Sequence, residues 1–240
     1  MLLKKMVKQA LVLLNTQNKG KYCNAKTAPS LCSNAQEKED DNPISGRVIV
    51  IDPGHGGSDE GVVTDSGYCE KTFTLLMADK LDKALKQQGA VVVLTHYDDR
   101  SVRLSATCAS EELQARVNVA NRHFADAFIS IHANGFYDSS VGGAATYYHN
   151  NNELSSTLAQ FVHQEMVSAC GLIDRGFIES QLYILKHCHS PAILIEPAFL
   201  SNNSEERRLL NPLFQDRLTN GIVKGLSKYF TRGKECEVGD

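Results

Sequence analysis

Long apolar runs are missing from this 240-residue chain. No stretch approaches the roughly 18 apolar residues of a transmembrane helix, so no helical membrane span is expected. An excess of one charge is missing too: 25 Lys and Arg against 28 Asp and Glu leave a formal net charge of -3. Without a basic balance there is no electrostatic case for nucleic acid as a partner. No CxxC pair, GxGxxG fingerprint or Walker lysine occurs, which removes zinc knuckles, thioredoxin-like redox chemistry and the common phosphate-cradling loops. No internal repeat is visible.

What is present is an ordinary globular composition, 42% hydrophobic and 22% charged, long enough for one sizeable α/β core plus a tail. Seven cysteines, at positions 23, 32, 69, 108, 170, 188 and 236, form an odd set. Disulfides in an oxidising compartment, for instance Cys23 with Cys32, and free buried thiols are both compatible with their spacing. Met1 to Leu14 carries Lys4, Lys5 and Lys8 ahead of a short apolar run, Ala10 to Leu14. That run is brief for the h-region of a signal peptide, and the segment reads either as a weak export signal or as a short amphipathic or disordered leader. Residues 15–45 are polar and aperiodic, with an acidic run at Glu37, Glu39, Asp40 and Asp41. The expected organisation is a leader and flexible tail over 1–45, a folded domain over 46–231 and a C-terminal tail over 232–240.

Within the folded part, strand and helix patterns alternate. Val48–Ile51, Ala90–Leu94, Ala127–Ile131, Ala144–Tyr148, Leu182–Leu185 and Ala192–Ile195 read as strands. Phe73, Met77, Leu81 and Leu85 mark a helix stopped by Gly89. Leu113, Val117, Ala120 and Phe124 mark a second, Leu154 to Ala169 a third closed by Gly171, and Phe214 to Phe230 a last one. The pattern predicts an α/β fold: a twisted, mostly parallel or mixed sheet of about six strands with helices on both faces.

Four residues stand at the ends of these strands or at a helix mouth. His55 follows the first strand in Asp52-Pro53-Gly54-His55-Gly56-Gly57, where glycines let the backbone turn sharply and leave the ring uncrowded. Glu70 opens the helix of Phe73 and Met77, where a carboxylate also suits the helix N-terminus. His132 ends Phe128-Ile129-Ser130-Ile131, and Asn134 and Gly135 begin the loop beyond it. Glu196 ends Ile193-Leu194-Ile195. Two imidazoles and a carboxylate make a three-ligand set that suits zinc and leaves a position for water; they favour zinc over magnesium or calcium. A carboxylate placed after three buried aliphatics has a raised pKa and suits a general base, which makes Glu196 the candidate for proton transfer. His187 and His189 could share one face as a second metal site but lack further ligands nearby. His96, His123, His149 and His163 read as surface or packing residues. Of Tyr147 and Tyr148, one must face the core.

Four ordered segments, Asp52–Gly57, Gly67–Lys71, Ser130–Asn134 and Glu196–Asn202, resemble the zinc-dependent N-acetylmuramoyl-L-alanine amidases of the amidase-3 type, over about Arg47 to Phe230. The resemblance implies one zinc ion held by His55, Glu70 and His132, with Glu196 as catalytic carboxylate. It implies peptidoglycan as substrate, cut between the lactyl group of N-acetylmuramic acid and L-Ala. It also implies a cell-envelope location, periplasmic or secreted, a monomer and an envelope-targeting partner. Asp174-Arg175-Gly176 resembles a substrate-side loop of the family, and Arg175 and Asn134 become candidate substrate contacts. One departure is His96, where the family commonly has arginine after the second strand; loop packing or substrate contact is affected rather than zinc. The inhibitory helix of cell-division members is expected to be absent between Asn134 and Tyr183. Rival readings are a zinc peptidase or carboxypeptidase acting on stem peptides, a wall-binding module without catalysis, and a lysis enzyme without its own export signal.

Overall fold

The computed structural model describes residues 42–237, with side chains to residue 232. The leader, the acidic tail and the Cys23–Cys32 pairing lie outside the described residues.

Six strands form one mixed sheet: β1 (Val48–Pro53), β2 (Val91–Leu94), β3 (Ala127–Ile131), β4 (Ala144–Tyr148), β5 (Asp174–Glu179) and β6 (Ala192–Glu196), in the order β2-β1-β3-β6-β4-β5. β2, β1, β3 and β6 run parallel, β4 lies antiparallel to β6, and β5 runs parallel to β4. The helices are α1 (Glu70–Gln87), α2 (Ala109–His123), α3 (Glu153–Cys170), α4 (Tyr183–His187), α5 (Asn203–Leu209) and α6 (Pro212–Glu237).

The continuous aliphatic runs of β1, β3 and β6 follow from burial on both sides. Ile49, Ile51, Ile129, Ile131, Ile193 and Ile195 pack against one layer, with Phe73, Met77 and Leu81 of α1, Val162 and Met166 of α3, and Leu218 and Ile222 of α6. The alternate residues Val50, Phe128, Ala192 and Leu194 pack against Val117 and Ala120 of α2 and Ile184 and Leu185 of α4.

Local signals set the helix ends. The Asn152 side chain accepts from Leu154 N at the start of α3, and Gly171 closes that helix in the left-handed conformation, φ 57°. Asn202 accepts from Ser204 N and Glu205 N to start α5. Pro212 opens α6, where its missing N–H is no loss.

Two sequence expectations need correction. Leu182–Leu185, expected as a strand, belongs to a helical turn, α4, which lays Ile184 and Leu185 onto the α2 side of the core. A four-residue apolar run has no period that separates strand from helix. Asp174-Arg175-Gly176, expected as a loop, begins β5, an edge strand that is largely exposed. With neither face fully buried, β5 carries no hydrophobic alternation to reveal it. Residues 134–183 contain β4, α3 and β5 and no further helix, and α3 packs chiefly on α6.

Candidate metal centre and active site

β1 connects through α1 to β2 on one side, and β2 connects through α2 to β3 on the other. The crevice at the carboxyl ends of β1 and β3 is therefore the point where strand order reverses, the usual place for a site in such a sheet. His55 and His132 both open into it.

Their neighbourhood is crowded on purpose. His55 has φ 64°, a left-handed conformation held between Gly54 and Gly56, which costs a non-glycine residue strain and turns its ring inward. A Cβ on Gly54 would lie 2.3 Å from Cε1 of His132, and one on Gly61 2.6 Å from Oε2 of Glu70 and 2.7 Å from Cδ2 of His55. These two glycines are cradle positions that no larger residue can fill.

Glu70 reaches in from the N-terminus of α1, with its side chain only 4% exposed. Its Oε2 lies 3.0 Å from His55 Nε2 and its Oε1 3.1 Å from His132 Nδ1, while the two ring nitrogens are 3.2 Å apart. Backbone N–H groups hold the carboxylate still: Ala133 N donates to Oε1 at 2.9 Å and Val62 N to Oε2 at 3.0 Å. Burial alone would raise the Glu70 pKa, but the two imidazoles outweigh it and hold the carboxyl far below its usual range. Burial pulls His55 down, and Glu70 and Asp59 together more than reverse that. Asp59 Oδ2 sits 2.9 Å from His55 Nδ1, close but out of hydrogen-bond alignment.

The structure thus brings the three expected ligands together: one donor atom each from His55, Glu70 and His132, all within 4.8 Å of one another. Nothing comparable gathers at His187 and His189 among the described residues; His187 stacks instead on Tyr183, ring centroids 4.2 Å apart. Two imidazole nitrogens and one carboxylate oxygen, convergent and preorganised, fit a catalytic zinc.

Beneath the ligands lies a closed polar network. Asp52, 1% exposed, accepts from Thr95 Oγ1 at 2.7 Å, Ser130 Oγ at 2.8 Å and Arg116 Nη1 at 2.9 Å. Arg116 also donates to the carbonyls of Pro53 and His55, both at 2.6 Å, and to Glu112 at 3.1 Å. A buried guanidinium therefore clamps the strained backbone that aims His55. Sequence reasoning missed Arg116, although it lies on the inner stripe of α2 beside Val117 and Ala120, where a charge is out of place. His96, buried at 2% exposure, sits under the same loop, its Nε2 3.1 Å from where a Cβ on Gly56 would stand. Burial first, then the Arg116 charge, lowers its pKa. This fits a packing role at the position where the arginine is replaced.

At the end of β6, Glu196 differs in kind. Its Oε2 is enclosed and has no hydrogen-bond partner. Burial, then the charge of Glu70, pushes its pKa up to about 8. Ala145 of β4 is its register partner, which brings Tyr147, two residues along on the same face, near it. The Glu196 charge adds to burial in raising the Tyr147 phenol. Arg175 is exposed, donates to Gly142 O at 3.1 Å and lies over the Phe199 ring at 5.5 Å. The Asn134 side chain accepts from Gly135 N at 2.9 Å. A cleft of about 620 Å³ opens beside the centre, lined by His55, His132, Arg103, Leu104, Cys108 and Ile184 among others. A smaller cleft of about 430 Å³ near Leu75, Tyr97 and Asp99 holds none of the site residues.

Comparison with known proteins decides what this centre belongs to. The family model described as N-acetylmuramoyl-L-alanine amidase matches residues 49–228. The chain belongs to the N-acetylmuramoyl-L-alanine amidase family. It is 33% identical over 195 residues to the germination-specific N-acetylmuramoyl-L-alanine amidase of Bacillus subtilis (strain 168), covering 79% of this chain and 82% of that protein. It is also 33% identical over 191 residues to N-acetylmuramoyl-L-alanine amidase LytC of the same organism, where the match covers 79% of this chain but spans only 36% of the relative's length. Among solved structures, the catalytic domain of the amidase CwlV from Bacillus (Paenibacillus) polymyxa var. colistinus superposes with a TM-score of 0.69 at 38% identity, over 77% of this chain and 98% of that one. A peptidoglycan amide hydrolase of this family is thus the frame in which the centre is read.

Proposed function

We propose that this chain hydrolyses the amide between the lactyl group of N-acetylmuramic acid and L-Ala in peptidoglycan, using one zinc ion held by His55, Glu70 and His132 and Glu196 as general base. The observation that carries the reading is the pairing of a convergent three-ligand set with a separate, half-buried carboxylate, one oxygen of which is enclosed and has no hydrogen-bond partner. When bound, zinc acts as a Lewis acid on a carbonyl oxygen and makes a coordinated water a nucleophile near neutral pH.

The chain's own residues supply the rest. Glu70 stays ionised, held by two backbone donors, and fixes both imidazoles. Arg116 and Asp52 hold the backbone of the His55 loop. Glu196 accepts a proton from the attacking water at a carboxylate oxygen and passes it to the nitrogen of the leaving L-Ala as the C–N bond breaks, giving the amine and the lactyl carboxylic acid, whose remaining proton then passes to the amine or to solvent. Arg175 and Asn134, from opposite sides of β6, are proposed to contact substrate, a role that would leave zinc content unchanged when either is truncated. The proposed working state is a monomer in the cell envelope, periplasmic or secreted, with a targeting protein as the candidate partner. The lack of a further helix between Asn134 and Tyr183 supports activity without a partner that displaces a plug.

Mass spectrometry of purified muropeptides incubated with the zinc-loaded protein tests the reading. Release of intact stem peptide with a free L-Ala amine, abolished in Glu196→Ala, is the expected result. Loss of a terminal amino acid alone would make the protein a carboxypeptidase.

A further inference from the structure

Immediately beyond the ligand His132, the chain places two large aromatic side chains in water. Tyr137 is 93% exposed and Phe136 45%, and their rings lie against each other with centroids 4.2 Å apart. Scattered exposed apolar residues are normal on a protein surface, but this pair is neither scattered nor loosely held. Asn134 N donates to Ala198 O at 2.9 Å, Leu200 N to Asn134 O at 2.7 Å, and Phe136 N to Ser201 Oγ at 2.9 Å. Gly135 packs so closely on Val62 that a Cβ there would lie 2.5 Å from Val62 Cγ2. The loop is thus tied to both the Glu70 side of the centre, through Val62, and the segment that follows Glu196.

The two flanks of the centre differ in chemistry. The cleft on the α2 side is lined by Arg103, Ser101, Thr107 and Glu112 as well as apolar groups, and none of the residues lining it belongs to the aromatic loop. The substrate of the proposed reaction also has two unlike arms at the scissile amide: a stem peptide with carboxylates and a chain of N-acetylated sugars. Sugar rings present flat C–H faces that stack on aromatic rings, and a tyrosine gives such a face while its hydroxyl stays wet. Phe136 lies four positions after His132, a reach of at most ~14 Å, so the pair stands beside the centre rather than at a remote surface.

We propose that Phe136 and Tyr137 form a platform for the glycan strand, taking the N-acetylhexosamine next to the muramic acid whose stem is cut, while the stem peptide enters the α2-side cleft. The proposal rests on the amidase reading. Stacking needs the rings and not the hydroxyl, so Tyr137→Phe behaves as the native protein.

The experiment compares the zinc-loaded full chain with its Phe136→Ala/Tyr137→Ala variant on two substrates bearing the same stem, one with a single muramic acid and one with a tetrasaccharide. The native protein is expected to show the lower KM on the tetrasaccharide. The variant should raise that KM about ten-fold, with kcat and the KM for the single-sugar substrate within about twofold. Calorimetric titration with a stem-free tetrasaccharide, which needs no turnover, should show binding to the native protein and none to the variant. An unchanged tetrasaccharide KM in a variant of native melting temperature would overturn the platform. If no stem is released by either protein, the amidase reading fails; the titration then decides the platform alone, which stands on binding lost in the variant and falls if the native protein does not bind.

Discussion

Two acidic regions, one buried at Asp52 and one half-buried at Glu196, lie within a few residues of each other across the sheet, and they are built on opposite rules. Under the His55 loop, Asp52 has three side-chain donors and Arg116 has four acceptors. At the end of β6, Glu196 has an enclosed oxygen with no partner at all. A satisfied buried network specifies shape, because each member fixes the others. An enclosed carboxylate oxygen without a partner is a burden on the fold and marks a candidate for chemistry. The first region holds the His55 loop in place, and the second is the one to which we assign proton transfer.

The sharpest way to break this contrast is Glu196→Gln. It should lower kcat about 10²–10⁴-fold while leaving the melting temperature at pH 7 equal or higher. The sign follows from linkage: a carboxyl raised from 4.5 to about 8 in the fold makes the fold lose stability as pH climbs between those values, and the amide escapes that loss. A clear drop in melting temperature would show Glu196 to be structural.

Arg116→Met should do the reverse, costing about 3–5 kcal/mol in urea unfolding because Asp52 is left buried and uncompensated. Combining it with Asp52→Asn should recover part of the loss, and strict additivity would contradict a coupled network. Gly61→Ala crowds the ligand cradle at Glu70 and His55 and strains a backbone with φ 66°. It should weaken zinc binding about 10–100-fold by competition with a chelator, and unchanged zinc affinity would mean that the cradle yields easily.

The pH profile sharpens the same point. Glu196 must be ionised to accept a proton, so kcat/KM should rise with pH through an acid limb lying between 4.5 and about 8, drawn toward the lower end by the bound cation, and the limb should vanish from the residual rate of Glu196→Gln. The smallest effect belongs to neither region. Lys83 and Asp79 form an exposed pair on α1, 2.6 Å apart, and Lys83→Ala should change stability by less than about 0.5 kcal/mol.

The central strands and the three ligands were legible because burial on both faces leaves unbroken aliphatic runs, and a polar residue at the end of such a run has few reasons to be there. The edge strand β5 and the helical turn α4 were not legible, although β4 was read at Ala144–Tyr148. β5 alternates nothing because it buries little, and Ile184-Leu185 pack through a helical turn too short to show a period. Arg116 left a usable sign, a charge on the inner stripe of α2. Asp59 left none: its approach to His55 depends on a loop with positive φ at His55, Gly56 and Gly57, and no spacing rule describes such a path. The aromatic pair Phe136 and Tyr137 was not singled out either, since nothing in the sequence of a loop shows how exposed its rings are.

β6 is the last strand of the chain yet lies at the middle of the sheet, where it alone joins β3 to β4. The order of manufacture therefore matters. Chains are made from the N-terminus and domains fold as units, so His55, Glu70 and His132 are present in the growing chain before the strand that carries Glu196. Until residues 192–196 emerge, nothing is present to join β3 to β4. A centre delivered in this order lacks the residue to which we assign proton transfer until nearly the whole domain has been made.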